Sequence, residues 1–146
     1  ENRQVEKVYH AVVEGIKEFS NELVDRNLLA NNKGIAKVSK EGKPAQTIFN
    51  TLKTYYAHTL VECKPITGRL HQIRVHFSAL HHPLVGDTTY GADPVLAKSL
   101  GMARPWLHAL ELRFAHPMTG APMSFKAPYP SDLQASLGLL SDAVLP

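Results

Sequence analysis

Cysteine is nearly missing from this sequence: 146 residues contain one, Cys63. A lone cysteine closes no internal disulfide, so nothing requires an oxidising compartment. Its apolar, strand-like surroundings make it a small buried hydrophobe of a cytoplasmic protein. Long hydrophobic runs are missing too. No stretch approaches the ~18 consecutive apolar residues of a membrane-spanning helix, and no signal peptide can be read. The common zinc signatures are absent, because there is no His-Glu-x-x-His and no second cysteine, and His71 and His76 are not spaced as an i, i+4 pair. No glycine-rich phosphate loop, internal repeat or low-complexity tract occurs. Neither sign of charge dominates: 16 Lys and Arg against 13 Asp and Glu leave a net +3, with eight histidines on top. That balance permits a nucleic-acid partner without demanding one.

What is present reads as one folded domain with a real core, 44% of it hydrophobic. Residues 5–13 alternate as a strand, apolar on both phases toward the end, which predicts a central strand closed by Gly15. Residues 16–34 read as a loop with a short strand near Glu22–Leu28. Lys33, Lys37, Lys40 and Lys43 fall in a solvated segment that an RNA backbone could also use. A strand from Pro44 to about Thr54 and another over Tyr56–Lys64 pair as antiparallel neighbours. Asp93 caps a short helix with Pro94 in its first position, ending near Gly101. Trp106, His108, Leu110, Leu112 and Phe114 alternate as one strand face, and after a turn at 116–120 a strand returns over Met123–Lys126. Leu133, Leu137 and Leu140 form the stripe of a last helix beginning at Ser131. The fold class expected is α+β, an antiparallel or mixed sheet flanked by helices.

The stretch that organises the chain is Thr67-Gly68-Arg69-Leu70-His71-Gln72-Ile73-Arg74-Val75-His76-Phe77, followed by His82-Pro83-Leu84-Val85-Gly86-Asp87 and Tyr90-Gly91. Leu70, Ile73, Phe77 and Leu80 fall at helical spacing and predict an amphipathic helix entered at Thr67-Gly68. Arg69, Arg74 and His76 lie off that stripe. Arginines in the first turns of a helix suit a phosphate or carboxylate; a solvated basic face is an equally good reading of the pattern alone. Asp87 reads as a turn residue bonded to its own backbone.

This stretch resembles the Gly-Arg-x-His-Gln-Ile/Leu-Arg-Val-His and His-Pro-x-x-Gly-Asp-x-x-Tyr-Gly motifs of the RluA-type pseudouridine synthases. Two more segments match in the expected order. Arg3-x-Val5-x-Lys7-x-Tyr9-x-Ala11-x-Val13-x-Gly15 resembles the strand carrying the family's active-site tyrosine. Leu107-His108-Ala109, with Leu112, Phe114, His116-Pro117 and Gly120 after it, resembles the last motif. The likeness covers nearly all of residues 3–130, and the segments around Pro44 and Pro65 are most similar to the RluA subgroup.

The resemblance implies an enzyme that breaks the glycosidic bond of a uridine in ribosomal or transfer RNA, turns the base and rejoins it through carbon, with no metal and no redox cofactor. It implies that Tyr9 packs on the uracil and helps move a proton, and that Arg74 pairs with a catalytic aspartate. Leu107 would touch the base, and Arg69 and His71 would bind substrate. From the residues alone, Tyr9 reads as a core strand tyrosine, and core packing is nearly as good a reading of Leu107. The family's aspartate loop, His-Arg-Leu-Asp-x-x-Thr-Ser-Gly, does not occur in these residues, and none of Asp25, Asp87, Asp93, Asp132 or Asp142 sits in such a loop. The chain is thus expected to be the C-terminal portion of a catalytic domain, inactive alone, with Arg74 in need of another partner. The alternative is a non-catalytic RNA-binding fragment. Structured RNA is the expected partner, with no membrane. The whole enzyme would be a monomer, and this portion could dimerise through an exposed sheet edge.

Overall fold

The computed structural model describes residues 5–141; Arg3 of the tyrosine-strand motif and Asp142 lie outside them. Eight strands and three helices follow in the order β1 (Glu6–Glu14), β2 (Glu22–Asp25), β3 (Leu28–Ala30), β4 (Ala36–Val38), β5 (Gln46–Thr54), β6 (His58–Pro65), α1 (Gln72–Ala79), α2 (Pro94–Ser99), β7 (Leu107–Ala115), β8 (Pro122–Lys126) and α3 (Ser131–Gly138). Six strands form one sheet in the order β2-β5-β6-β1-β7-β8, and every pairing is antiparallel. β3 and β4 make a separate hairpin. The class is α+β, as expected.

β1 is central because both of its phases are apolar, and each finds its own core. Ala11 and Val13 face a cluster with Phe19, Val24, Phe49, Val61, Cys63, Ile73, Phe77 and Leu84, against which Tyr9, Leu80 and Leu107 pack. Phe49 and Phe77 stack there at 4.1 Å, with Phe19 set edge-on to both. This is the face that α1 covers. Val12 faces a second cluster with Val85, Ala97, Leu100, Met102, Trp106 and Leu133, to which α2 and α3 contribute. Leu137 and Leu140 join it, so the predicted stripe of α3 is the buried one. Asp93 accepts the Val95 N–H and caps α2 with Pro94 at its first position. Cys63 is fully buried, and burial pushes its thiol well above the ordinary range.

Three expectations need correction. The strand read near Glu22–Leu28 is two strands, β2 and β3, and Lys37 lies in β4 rather than in an open loop. Asn31 builds the turn between β3 and β4 by accepting the N–H groups of Lys33 and Ile35. Trp106 to Phe114 is not one face. Val8 pairs with Glu111 and Tyr9 with Ala109, so Leu110 is an extra residue and β7 changes face there. Trp106 and His108 look toward the second core, whereas Leu112, opposite Lys7, shares the Tyr9 face. The third correction concerns α1. It starts at Gln72 and not at Thr67, so Arg69 precedes it, Leu70 is 44% exposed, and His76, expected on the basic side, is fully buried.

Candidate functional site

The late start of α1 has a local cause. His71 takes a left-handed conformation, φ 53°, which breaks the helical run before Gln72. Gln72 then makes four hydrogen bonds. Its Oε1 accepts the Thr67 hydroxyl at 2.6 Å and the Arg69 N–H at 3.1 Å, while its Nε2 donates to the Gln46 carbonyl and the Thr47 hydroxyl. A buried amide satisfied this fully pins residues 67–69 as a loop across the start of β5. Arg69 is held outward, its Nε donating to the Pro44 carbonyl at 2.8 Å. His76 lies one turn further on, between the Thr47 hydroxyl and the Arg26 carbonyl, which takes its Nε2 proton. Burial lowers its pKa and keeps it neutral. Gln72 and His76 are therefore structural members of the motif.

Arg74 occupies the first turn of α1 and points back toward the turn that follows Gly86. Its Nε and Nη2 donate to the two carboxylate oxygens of Asp87 at 2.9 and 2.8 Å. Asp87 is 1% exposed and the Arg74 side chain 21%. The bond to Asp87 raises the arginine's pKa further, so its charge is permanent. The Tyr90 ring lies under the guanidinium, 4.9 Å from Cζ. The Tyr90 hydroxyl accepts the Ala36 N–H from β4 and bonds His71 Nδ1 at 2.7 Å. Partial burial and the Arg74 charge lower the His71 pKa, with Asp87 opposing. Gly86, just before Asp87, sets the path of the turn: φ 85° favours glycine, and a Cβ there would collide with the Arg104 carbonyl.

A cleft of about 240 Å³ opens where α1 meets β1 and β7, lined by Lys7, Tyr9, Pro65, Thr67, Gly68, Arg69, His71, Gln72, Ile73, Arg74 and Leu107. All five residues singled out in the sequence, Tyr9, Arg69, His71, Arg74 and Leu107, line it together. A larger open hollow of about 860 Å³ lies at the far ends of β1, β6 and β7 and holds none of the five. Tyr9 and Leu107 are half-buried and pack on the first core, so core and cleft wall are the same surface. Among the described residues the Tyr9 hydroxyl and the Lys7 ammonium have no hydrogen-bond partner. Nor do any three His, Cys, Asp or Glu side chains among them converge as metal ligands would.

The sequence reading missed Asp87, Tyr90, Gln72 and Lys7. Asp87 reads in sequence as a turn residue, yet no turn N–H bonds its side chain. The turn is closed by main-chain bonds instead, from Asp87 N to Leu84 O and from the Tyr90 and Ala92 N–H groups to Asp87 O. The available signal was the need of a charged Arg74 for a carboxylate.

Residues 1–79 match the RNA pseudouridylate synthase family. An uncharacterized RNA pseudouridine synthase of Mycobacterium bovis is 46% identical over 140 residues, 94% of this chain and 46% of that protein. Ribosomal large subunit pseudouridine synthase C of Escherichia coli K12 is 39% identical over 148 residues, 95% of this chain and 46% of that protein. The solved structure of human RNA pseudouridylate synthase domain containing 1 superposes with a TM-score of 0.74 at 30% identity, over 97% of this chain and 61% of that one. The chain thus spans less than half the length of these two curated relatives.

Proposed function

The chain belongs to the RNA pseudouridylate synthase family, as an RluA-type member, and from that premise we propose that it is the C-terminal portion of a catalytic domain that isomerises uridine to pseudouridine in structured RNA. One observation carries this reading: a single cleft gathers Tyr9, Arg69, His71, Arg74 and Leu107, which come from three separate motifs. A target uridine leaves its stack and enters the cleft, at a cost of a few kcal/mol that base-modifying enzymes generally meet. Tyr9 lies against the uracil, and its unpartnered hydroxyl is free to move a proton. Leu107 forms the apolar wall beside it. Arg69 and His71 flank the entrance, Arg69 offering charge to a phosphate and His71, kept neutral, a hydrogen bond.

The nucleophilic aspartate is supplied by a preceding segment of a longer polypeptide. Arg74 faces it, and a permanent cation at that distance keeps a carboxylate ionised at neutral pH. Ribosomal RNA is the first substrate to test and transfer RNA the second, in the cytoplasm. No helix among the described residues is long and apolar enough to cross a membrane. β8 is the last strand of the sheet on its side, so an isolated portion is prone to dimerise there.

The test is pseudouridine formation on bulk ribosomal and transfer RNA by this chain alone and with the preceding segment joined. Product only in the joined form is the expected result. Parental turnover by this chain alone would refute the placement of the aspartate. RNA binding without turnover in either form would turn the reading into that of a binding module.

A further inference from the structure

Asp87 is buried, charged and bonded through its side chain to Arg74 and to no backbone group of its own turn. The turn does not need that side chain, because main-chain bonds close it and Gly86 sets its path. A carboxylate this deeply buried is costly unless its partner repays the desolvation. Its whole hydrogen-bonding capacity toward charge goes to one guanidinium. The two oxygens meet Nε and Nη2, the fork geometry that fixes a guanidinium in plane as well as in place. Tyr90 closes the face beneath. Rotation about the last bonds of Arg74 is thereby blocked from one edge and one face. The edge left over is Nη1, and among the described residues no group bonds it.

We propose that Asp87 is the positioning residue of Arg74, holding the guanidinium by its Nε–Nη2 edge so that Nη1 is presented to the reacting groups in the cleft. Asp87 touches neither base nor sugar and acts only through the arginine. Two consequences separate this from a merely structural ion pair. The arginine is pre-aimed before RNA arrives, so its loss of aim shows in the chemical step and not in binding. The aim also requires a carboxylate on both N–H groups, so an amide of the same shape does not replace it.

The consequence for turnover rests on the synthase reading above, and the experiment separates the two. In the full-length polypeptide, Asp87→Asn is expected to lower kcat roughly 100-fold, the scale of a misplaced catalytic group, with KM nearly unchanged. Asp87→Glu restores the charge and recovers part of kcat. In the same polypeptide the Arg74 Nε–H resonance, assigned by its loss in Arg74→Lys, is expected to be shifted and slow to exchange in the wild type and to become ordinary in Asp87→Asn. Wild-type kcat in Asp87→Asn, or a loss of kcat matched by a rise in KM with no recovery in Asp87→Glu, would overturn the proposal. An Nε–H signal indifferent to Asp87→Asn would also overturn it. If the wild type forms no pseudouridine, the synthase reading fails, and the resonance alone decides whether Asp87 positions Arg74.

Discussion

Tyr9 and His10 are neighbours in one strand and live in opposite worlds. On the face behind His10, polar groups are mostly closed off, His58 Nε2 on β6 being the buried exception among the described residues. His10 Nδ1 bonds the Tyr129 hydroxyl at 2.6 Å, Trp106 Nε1 donates to Ser136 at 2.7 Å, His108 Nε2 donates to the Ala127 carbonyl, and Arg104 grips Asp132 with two bonds. On the face of Tyr9, Gln72 and His76 are satisfied beneath α1, but at the cleft polar groups are left open: among the described residues the Tyr9 hydroxyl, the Lys7 ammonium and Nη1 of Arg74 have no partner. Satisfied polar groups specify and hold a fold, while unsatisfied ones beside a cleft are capacity reserved for a ligand. The two faces of β1 thus differ: the rear is scaffold, while the front joins a core to a cleft that keeps polar groups free.

That division can be broken from either side, and the scaffold side should cost most in stability. Trp106→Ala removes a fully buried ring and the bond that Nε1 donates to Ser136, whose hydroxyl keeps its bond to the Leu133 carbonyl. It should destabilise by roughly 3–5 kcal/mol, read as a lowered urea midpoint. A loss below about 1 kcal/mol would show that the rear face does not carry the fold. Arg74→Ala comes next, since it strands the buried Asp87 carboxylate, and a loss near 3 kcal/mol is expected. Adding Asp87→Ala should return much of that loss, and a double-mutant cycle that shows simple additivity would contradict the pairing.

Tyr9→Phe sharpens the comparison, because the hydroxyl bonds nothing in the scaffold. Stability should stay within about 0.5 kcal/mol, while pseudouridine formation by the full-length polypeptide falls roughly 100-fold or more. Unchanged turnover would move the proton to another group. The smallest effect near neutrality is that of pH. Burial lowers the pKa of His10, and likewise that of His76 and His71. Between their lowered folded pKa values and about pH 6.5 these three rings therefore hold fewer protons in the folded chain than in the unfolded one. Stability is fully present above that value and declines as pH falls from it toward the lowered folded pKa values. Tm should drop between about pH 7 and pH 5, reversibly; a flat Tm would mean these rings exchange protons freely in the fold.

Much of this was legible in the residues. Both phases of β1 are apolar and it is central; the Asp93-Pro94 pair starts α2; the Leu133 stripe buries α3; the motif residues converge. What stayed hidden were interactions that no local pattern encodes. Leu70 falls at helical spacing with Ile73 and Phe77, but Gln72 has four partners drawn from β5 and the preceding loop, and those decide where the helix begins. Strict alternation from Trp106 to Phe114 conceals the extra residue at Leu110, which only pairing with β1 exposes. Asp87 looked like a turn former because Gly86 precedes it. Its bond to Arg74, 13 residues away, depends on how α1 lies over the sheet.

Cys63 gives the molecule a clock of its own. Its thiol is the one cysteine sulfur in the sequence, lies fully buried on β6 between β1 and β5, and is held protonated by burial. A thiolate-seeking dye can reach it only when the core packed on that sheet face opens. The labelling rate then counts openings of the core beneath the cleft, one event per molecule, with no engineered probe and no second site to confuse the record. Bound RNA that braces the front of the sheet should slow that clock, and the factor by which it slows converts directly into the free energy the ligand lends the fold.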